Sequence, residues 1–179
     1  MTRTLLLATT LALIPALAMG VGSDDDTPPT TTSTTTECQA SQIWDEKAEA
    51  CLDAVESRFN DTDRYDAVRE LAYAGAFDRA MAVLDTFENA LDDGRLTYLG
   101  LVSRKMGDEE AGMAWYQAAL VQNSDNLLAR SYMGQAYVTA GDAVAARAQL
   151  REIRRRGGRE TWPERSLELA LRGGPAPAY

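Results

Sequence analysis

Any chemistry in this chain has to be done without histidine. None of its 179 residues is one, which removes histidine triads and histidine-ligated metal sites together. The two cysteines, Cys38 and Cys51, are too few for a four-cysteine zinc site or an iron–sulfur cluster. With Trp44-Asp45 between them, they leave three readings open. They staple a loop as a disulfide, they frame a hairpin whose tryptophan stacks on a sugar, or they are a redox pair. As a staple, a closed loop of about 14 residues contributes roughly 3 kcal/mol in the chain-entropy model. Catalytic redox pairs usually stand as Cys-x-x-Cys at a helix start, and these do not. Among 27 acidic residues some glycosidase-like pair can always be chosen, so none stands out. No nucleophile elbow, phosphate loop or metal motif is present. Neither an enzymatic reaction nor a cofactor is therefore expected, with a helical hydrolase acting on cell wall as the third alternative.

Charge narrows the partners. With 18 basic and 27 acidic residues the chain carries a net −9, which argues against a general phosphate-backbone binder and so against nucleic acid. The basic residues gather late, at Arg151, Arg154, Arg155, Arg156 and Arg159. A run there reads first as the solvated end of a helix, where the dipole favours cations; a polybasic contact is the alternative.

The elements that must position these residues begin with an address. Arg3, the apolar run Leu5 to Leu17, and Ala16-Leu17-Ala18 have the three-part anatomy of a secretory signal peptide over 1–18. The run is too short for a bilayer span of about 20 residues, so cleavage near Ala18 is expected, against the alternative of a retained anchor. The protein is then exported, to the periplasm or beyond, where a disulfide is permitted. Residues 19–37 hold Asp24-Asp25-Asp26, Pro28-Pro29 and a Thr-rich tract. They read as a disordered acidic linker, since the aspartates lack calcium-loop spacing. Residues 38–60 form a small cysteine-bounded cap, 61–172 the main domain, and 173–179 a flexible tail.

The main domain repeats. Gly100 and Gly134 are 34 residues apart, as are Gly107 and Gly141, and Gly75 stands 32 before Gly107. The middle unit reads Leu99-Gly100, Met106-Gly107-Asp108 and Trp115-Tyr116-Gln117-Ala118-Ala119-Leu120; the next reads Met133-Gly134, Tyr137 and Ala140-Gly141-Asp142, then Ala146. This pattern resembles the tetratricopeptide repeat family over about residues 62–156. The Leu-Gly pair and an aromatic belong to the first helix of each unit, and the small–aromatic–small set belongs to the second. Departures are Ala67-Val68 in place of Leu-Gly, Ser103 in place of the aromatic, and Ser124 in place of the unit-ending proline. The cysteine-bounded segment resembles a Cys-x5-Trp-Asp-x5-Cys module found before repeat domains in exported bacterial proteins. The resemblance implies an all-α fold of antiparallel helix pairs in a short right-handed superhelix. A helix over about residues 162–172, with Pro163 in its first turn, is expected to cap it. Small residues let paired helices approach, and Gly75, Gly107 and Gly141 end first helices where a left-handed backbone is needed.

In that family the first helices line a concave groove. Carried onto this chain, the groove residues are Tyr65, Arg69, Tyr73, Thr97, Leu101, Arg104, Lys105, Ser131, Gln135 and Val138. The expected function is an exported scaffold that buries a protein or peptide segment there, with self-association left open. The Lys and Asn clamp of the chaperone-tail-binding members is missing at the matching places. The alternative is an envelope module that binds glycan or cell wall around Trp44.

Overall fold

The computed structural model describes residues 29–173. The expected signal peptide, residues 19–28 of the expected linker, and residues 174–179 of the expected tail lie outside the described residues. The described chain is mostly helical. A helical turn α1 (Ser33–Thr36) precedes the strands β1 (Gln42–Asp45) and β2 (Ala50–Asp53). Three helix pairs follow: α2 (Asp61–Tyr73) with α3 (Phe77–Leu84), α4 (Asp93–Lys105) with α5 (Glu109–Gln122), and α6 (Leu127–Thr139) with α7 (Ala143–Arg155). The last helix is α8 (Trp162–Leu171), within a residue of the expected capping helix and with Pro163 in its first turn.

Each pair is joined by three residues whose middle one is Gly75, Gly107 or Gly141, and all three glycines have positive φ (75°, 98° and 80°). The turns therefore need a backbone that only glycine adopts cheaply. Asp108 and Asp142, each following its turn glycine, accept hydrogen bonds from the amides of Ala111 and Ala145. These side chains cap α5 and α7. The first helices also touch in series, α2 on α4, α4 on α6 and α6 on α8.

A tyrosine from each first helix runs through this series. Tyr65 meets Tyr98 edge-on with centroids 5.3 Å apart, and Tyr98 meets Tyr132 edge-on at 6.4 Å. Such edge contacts suit the ring quadrupole. Around them Val68, Leu71, Leu84, Leu101, Val102 and Tyr116 form the main core. Leu127, Leu150, Ile153 and Leu167 form a second cluster where α8 covers the end. A Cβ on Gly134 would stand 2.6 Å from Leu167 Cδ2. The close approach at that glycine is thus to the capping helix rather than to its own partner α7.

The amino-terminal part departs from expectation twice. Cys38 and Cys51 are bonded, with Cα atoms 5.3 Å apart, but the cap they bound is a β-hairpin in which Trp44 pairs with Cys51. Asp45 shapes the turn by accepting the amides of Lys47 (2.9 Å) and Ala48 (2.6 Å), as short acidic side chains do in turns. The second departure corrects the disordered linker through residue 37. Within it, α1 is ordered against α2, and Thr34 is only 4% exposed. The Glu70 carboxylate accepts from the backbone and hydroxyl of Thr32, both at 2.8 Å, and from the backbone (3.1 Å) and hydroxyl of Thr35. Arg79 donates to the carbonyl of Thr35 at 2.9 Å and to that of Thr34. One charge thus holds the amino end of this strap and the opposite charge holds its carbonyl end. Charge-assisted hydrogen bonds do here what apolar burial does elsewhere.

Candidate functional site

The ten expected groove residues do not share one surface. Tyr65 is 6% exposed, Thr97 0%, Leu101 1%, Ser131 0% and Gln135 6%, and these five are corrected from groove to interior. The physical reason is the position of their helices. Nearly all of α4 and α6 is enclosed, since each touches its own partner and the first helices on both sides. Their polar groups are used in joining units. Thr97 Oγ1 donates to the Asp93 carbonyl (2.7 Å) and accepts from Asn126 Nδ2 (3.0 Å). Ser131 Oγ donates to the Pro163 carbonyl (2.8 Å), and Gln135 Nε2 donates to Ser166 Oγ (2.9 Å) and Ser131 Oγ (3.3 Å).

Arg104 and Val138 are partly buried. Arg104 Nε reaches Glu109 at 3.1 Å and Nη1 reaches the Tyr132 carbonyl at 3.3 Å. Burial opposes its charge, yet Tyr116 and Glu109 beside it carry its pKa upward. Val138 packs on the second hydrophobic cluster. Lys105 is exposed at the end of α4, while Arg69 and the 38%-exposed Tyr73 lie on α2. The structure therefore separates the charged members of the expected set.

What it does bring together lies at the amino-terminal end. A cleft of about 390 Å³ opens between the strap, the hairpin and α2. Trp44, Glu46 and Phe59 line one side, and Asp63, Asp66 and Arg69 line the other. The helix face is set by the Asn60–Asp63 capping box, whose bonds run from the Asn60 amide to Asp63 (2.8 Å) and from the Asp63 amide to Asn60 (3.1 Å). Beneath it Arg64, only 1% exposed, donates to the Ala54 carbonyl (2.9 Å) and to Asp61 (2.8 Å), tying α2 to the hairpin. Burial would raise the Asp61 pKa, but the amides of Asn89 and Glu88 and the Arg64 guanidinium hold it below the ordinary value. A half-buried indole facing carboxylates and one guanidinium can bind a polar chain by stacking and hydrogen bonding.

Arginines form a second cleft, of about 440 Å³, between α7 and α8. Arg147, Arg151, Arg154 and Arg172 line it with Leu150, Leu171 and one carboxylate, Glu168. Arg154 is held by Glu164 and Glu168, and Arg172 by Glu168 at 3.0 Å. Further along the basic run Glu152 takes Arg155 (2.9 Å) and Arg156, and Arg156 also donates to the Ser124 carbonyl (2.8 Å). The sequence singled out this run but could not sort its paired members from the rest. A trace of the buried polar ladder was present, because Tyr98 and Tyr132, and likewise Thr97 and Ser131, are 34 residues apart. Nothing local in the sequence marks the Glu70–Arg79 clamp.

Among the described residues no helix is long and apolar enough to cross a membrane. The chain matches no protein-family model, no curated protein and no solved structure.

Proposed function

We propose that the protein is an exported interaction scaffold of tetratricopeptide type. It binds a partner segment stoichiometrically and makes or breaks no bond. Its contact surface is the cleft between hairpin and α2, continued by Arg69 and Tyr73, rather than the faces of α4 and α6. The observation that carries the reading is the repetition of one unit, with a glycine of positive φ at each turn, an Asp cap after two of the three turns, and a tyrosine on each first helix. Stacked units of this kind make a rigid support, and three with caps are enough for stability. The three pairs and α8 then form a short right-handed superhelix, with hairpin and strap as one cap and α8 as the other.

A second reading is supported by Trp44. Its indole and the carboxylates of Glu46, Asp63 and Asp66 border one cleft, a combination that also suits a sugar. Photo-crosslinking separates the two. A crosslinker placed at Tyr73 or Arg69 in the cell envelope is expected to trap a protein, and one at the distant, exposed Val121 is not. No adduct at either α2 position, together with retention on peptidoglycan that Trp44→Ala abolishes, would replace the scaffold with a glycan-binding module.

A further inference from the structure

Charge in this molecule is strongly segregated. Residues 29–93 carry 15 acidic and 5 basic side chains, whereas residues 143–173 carry 8 arginines and 4 glutamates. Within the basic end, Arg147 and Arg151 are exposed and line the α7–α8 cleft. Neither side chain makes a hydrogen bond or ion pair within the described residues. Both belong to one stripe of α7 with Arg154, spaced four and then three residues apart. Leu150 and Leu171 lie beside them, and the lining carboxylate, Glu168, is paired with Arg154 and Arg172.

From these features we infer that the α7–α8 cleft is the docking site for Asp24-Asp25-Asp26 of a second copy of this chain, so that molecules associate head to tail. The spacing fits. Arg147 and Arg151 are separated by about 6 Å along the helix axis. In an extended segment Asp24 and Asp26 fall on one side, about 6.6 Å apart. Pro28-Pro29, which follow, favour an extended approach. Each guanidinium presents a planar fork to a carboxylate.

One molecule's Asp24 and Asp26 cannot both span the distance to its own cleft. Pro29 lies at the amino-terminal cleft beside α2, and Asp26 is three residues from it, about 10 Å of extended chain. From α2 the first helices proceed through α4 and α6 to α8, three steps of about 8–10 Å each. The acceptor must therefore belong to another copy. Such a contact uses different surfaces on its two sides, so it propagates instead of closing as a two-fold dimer does.

Sedimentation velocity tests this on the protein as its expressing cell leaves it, with intact mass confirming that Asp24–Asp26 are present. At about 50 mM salt the parent is expected to form concentration-dependent assemblies that dissolve at about 500 mM, because the contacts are exposed and screened. Arg147→Glu/Arg151→Glu and Asp24→Asn/Asp25→Asn/Asp26→Asn, each with unchanged circular dichroism, are expected to remain monomeric alone. Mixed, they should form a dimer that grows no further, since each keeps one working end. A monomeric parent at low salt, assembly of either variant alone as in the parent, a mixture that stays monomeric, or processing that removes the aspartates would each overturn the inference. A monomeric parent that bound a synthetic Asp-rich peptide would assign the cleft to another acidic chain. Crosslinking at Arg69 and Tyr73 is read at the opposite end, so the two proposals fail separately.

Discussion

Glu70 carries more of the amino-terminal architecture than its place on α2 suggests. Its carboxylate takes four hydrogen bonds from Thr32 and Thr35 and is only 7% exposed. Removing it leaves two backbone amides and two hydroxyls to find water or remain unpaired. Glu70→Ala should cost about 1–3 kcal/mol locally and release the strap while α2 to α8 stay folded. Hydrogen exchange would show it as lost protection at Thr35 and Glu37 with none lost at Leu101. Protection retained at Thr35 would mean that the strap is held chiefly by Arg79 and by the Trp44 amide, which donates to Thr34 Oγ1 at 3.0 Å. The sequence did not disclose this arrangement. A stretch of Ser and Thr with no apolar residue looks like linker, and its charged partners, Glu70 and Arg79, lie more than 30 residues downstream.

The helices were the legible part, and their faces were not. Glycines at a spacing of 32 and 34 revealed the turns, because positive φ leaves the chain few alternatives to glycine. The register of α4 and α6 was harder to read, because both are enclosed on nearly every side. Polar residues such as Thr97, Ser131 and Gln135 look like solvent-facing positions in a sequence, whereas here they join helices by buried hydrogen bonds. Close packing also exposes the repeat to small insults. A methyl group at Gly100 would collide with the ring of Tyr116 and approach the Gly112 carbonyl at 3.0 Å. Gly134→Leu would drive into Leu167. Each should lower stability by about 1–3 kcal/mol through overpacking, seen as a lower urea midpoint. For Gly134→Leu the loss should be partly relieved by Leu167→Ala. No relief would mean that the strain lies against α7 instead.

Across the whole molecule, acid should loosen the structure from both ends. Asp61, at the base of α2, and Glu164, on α8, both have carboxyl pKa values below the ordinary range. For Glu164, burial pushes upward, but Arg154 and the Glu160 amide prevail. A carboxyl with a depressed folded pKa contributes its stability above the unfolded value and loses it as the pH falls through the folded one. Asp92 acts in the opposite sense, since burial raises its pKa. Urea midpoints are therefore expected to fall as the pH drops from about 5 through the ordinary carboxyl range and below it. Asp61→Asn should cost about 1–2 kcal/mol at neutral pH and show a shallower acid decline than the parent. Identical acid slopes would remove Asp61 from the explanation.

The strap also fixes an order of events. A chain that emerges amino end first presents Thr32–Thr36 well before Glu70 and Arg79 exist to receive them. Cys38 and Cys51, 13 residues apart, can meet while the clamp is still unmade. These early residues therefore wait until Arg79 has emerged, and the cystine can form before they are seated. An oxidant acting on the growing chain finds both thiols open, whereas a reductant acting on the finished one finds Cys38 at 4% exposure and is left with the half-buried Cys51.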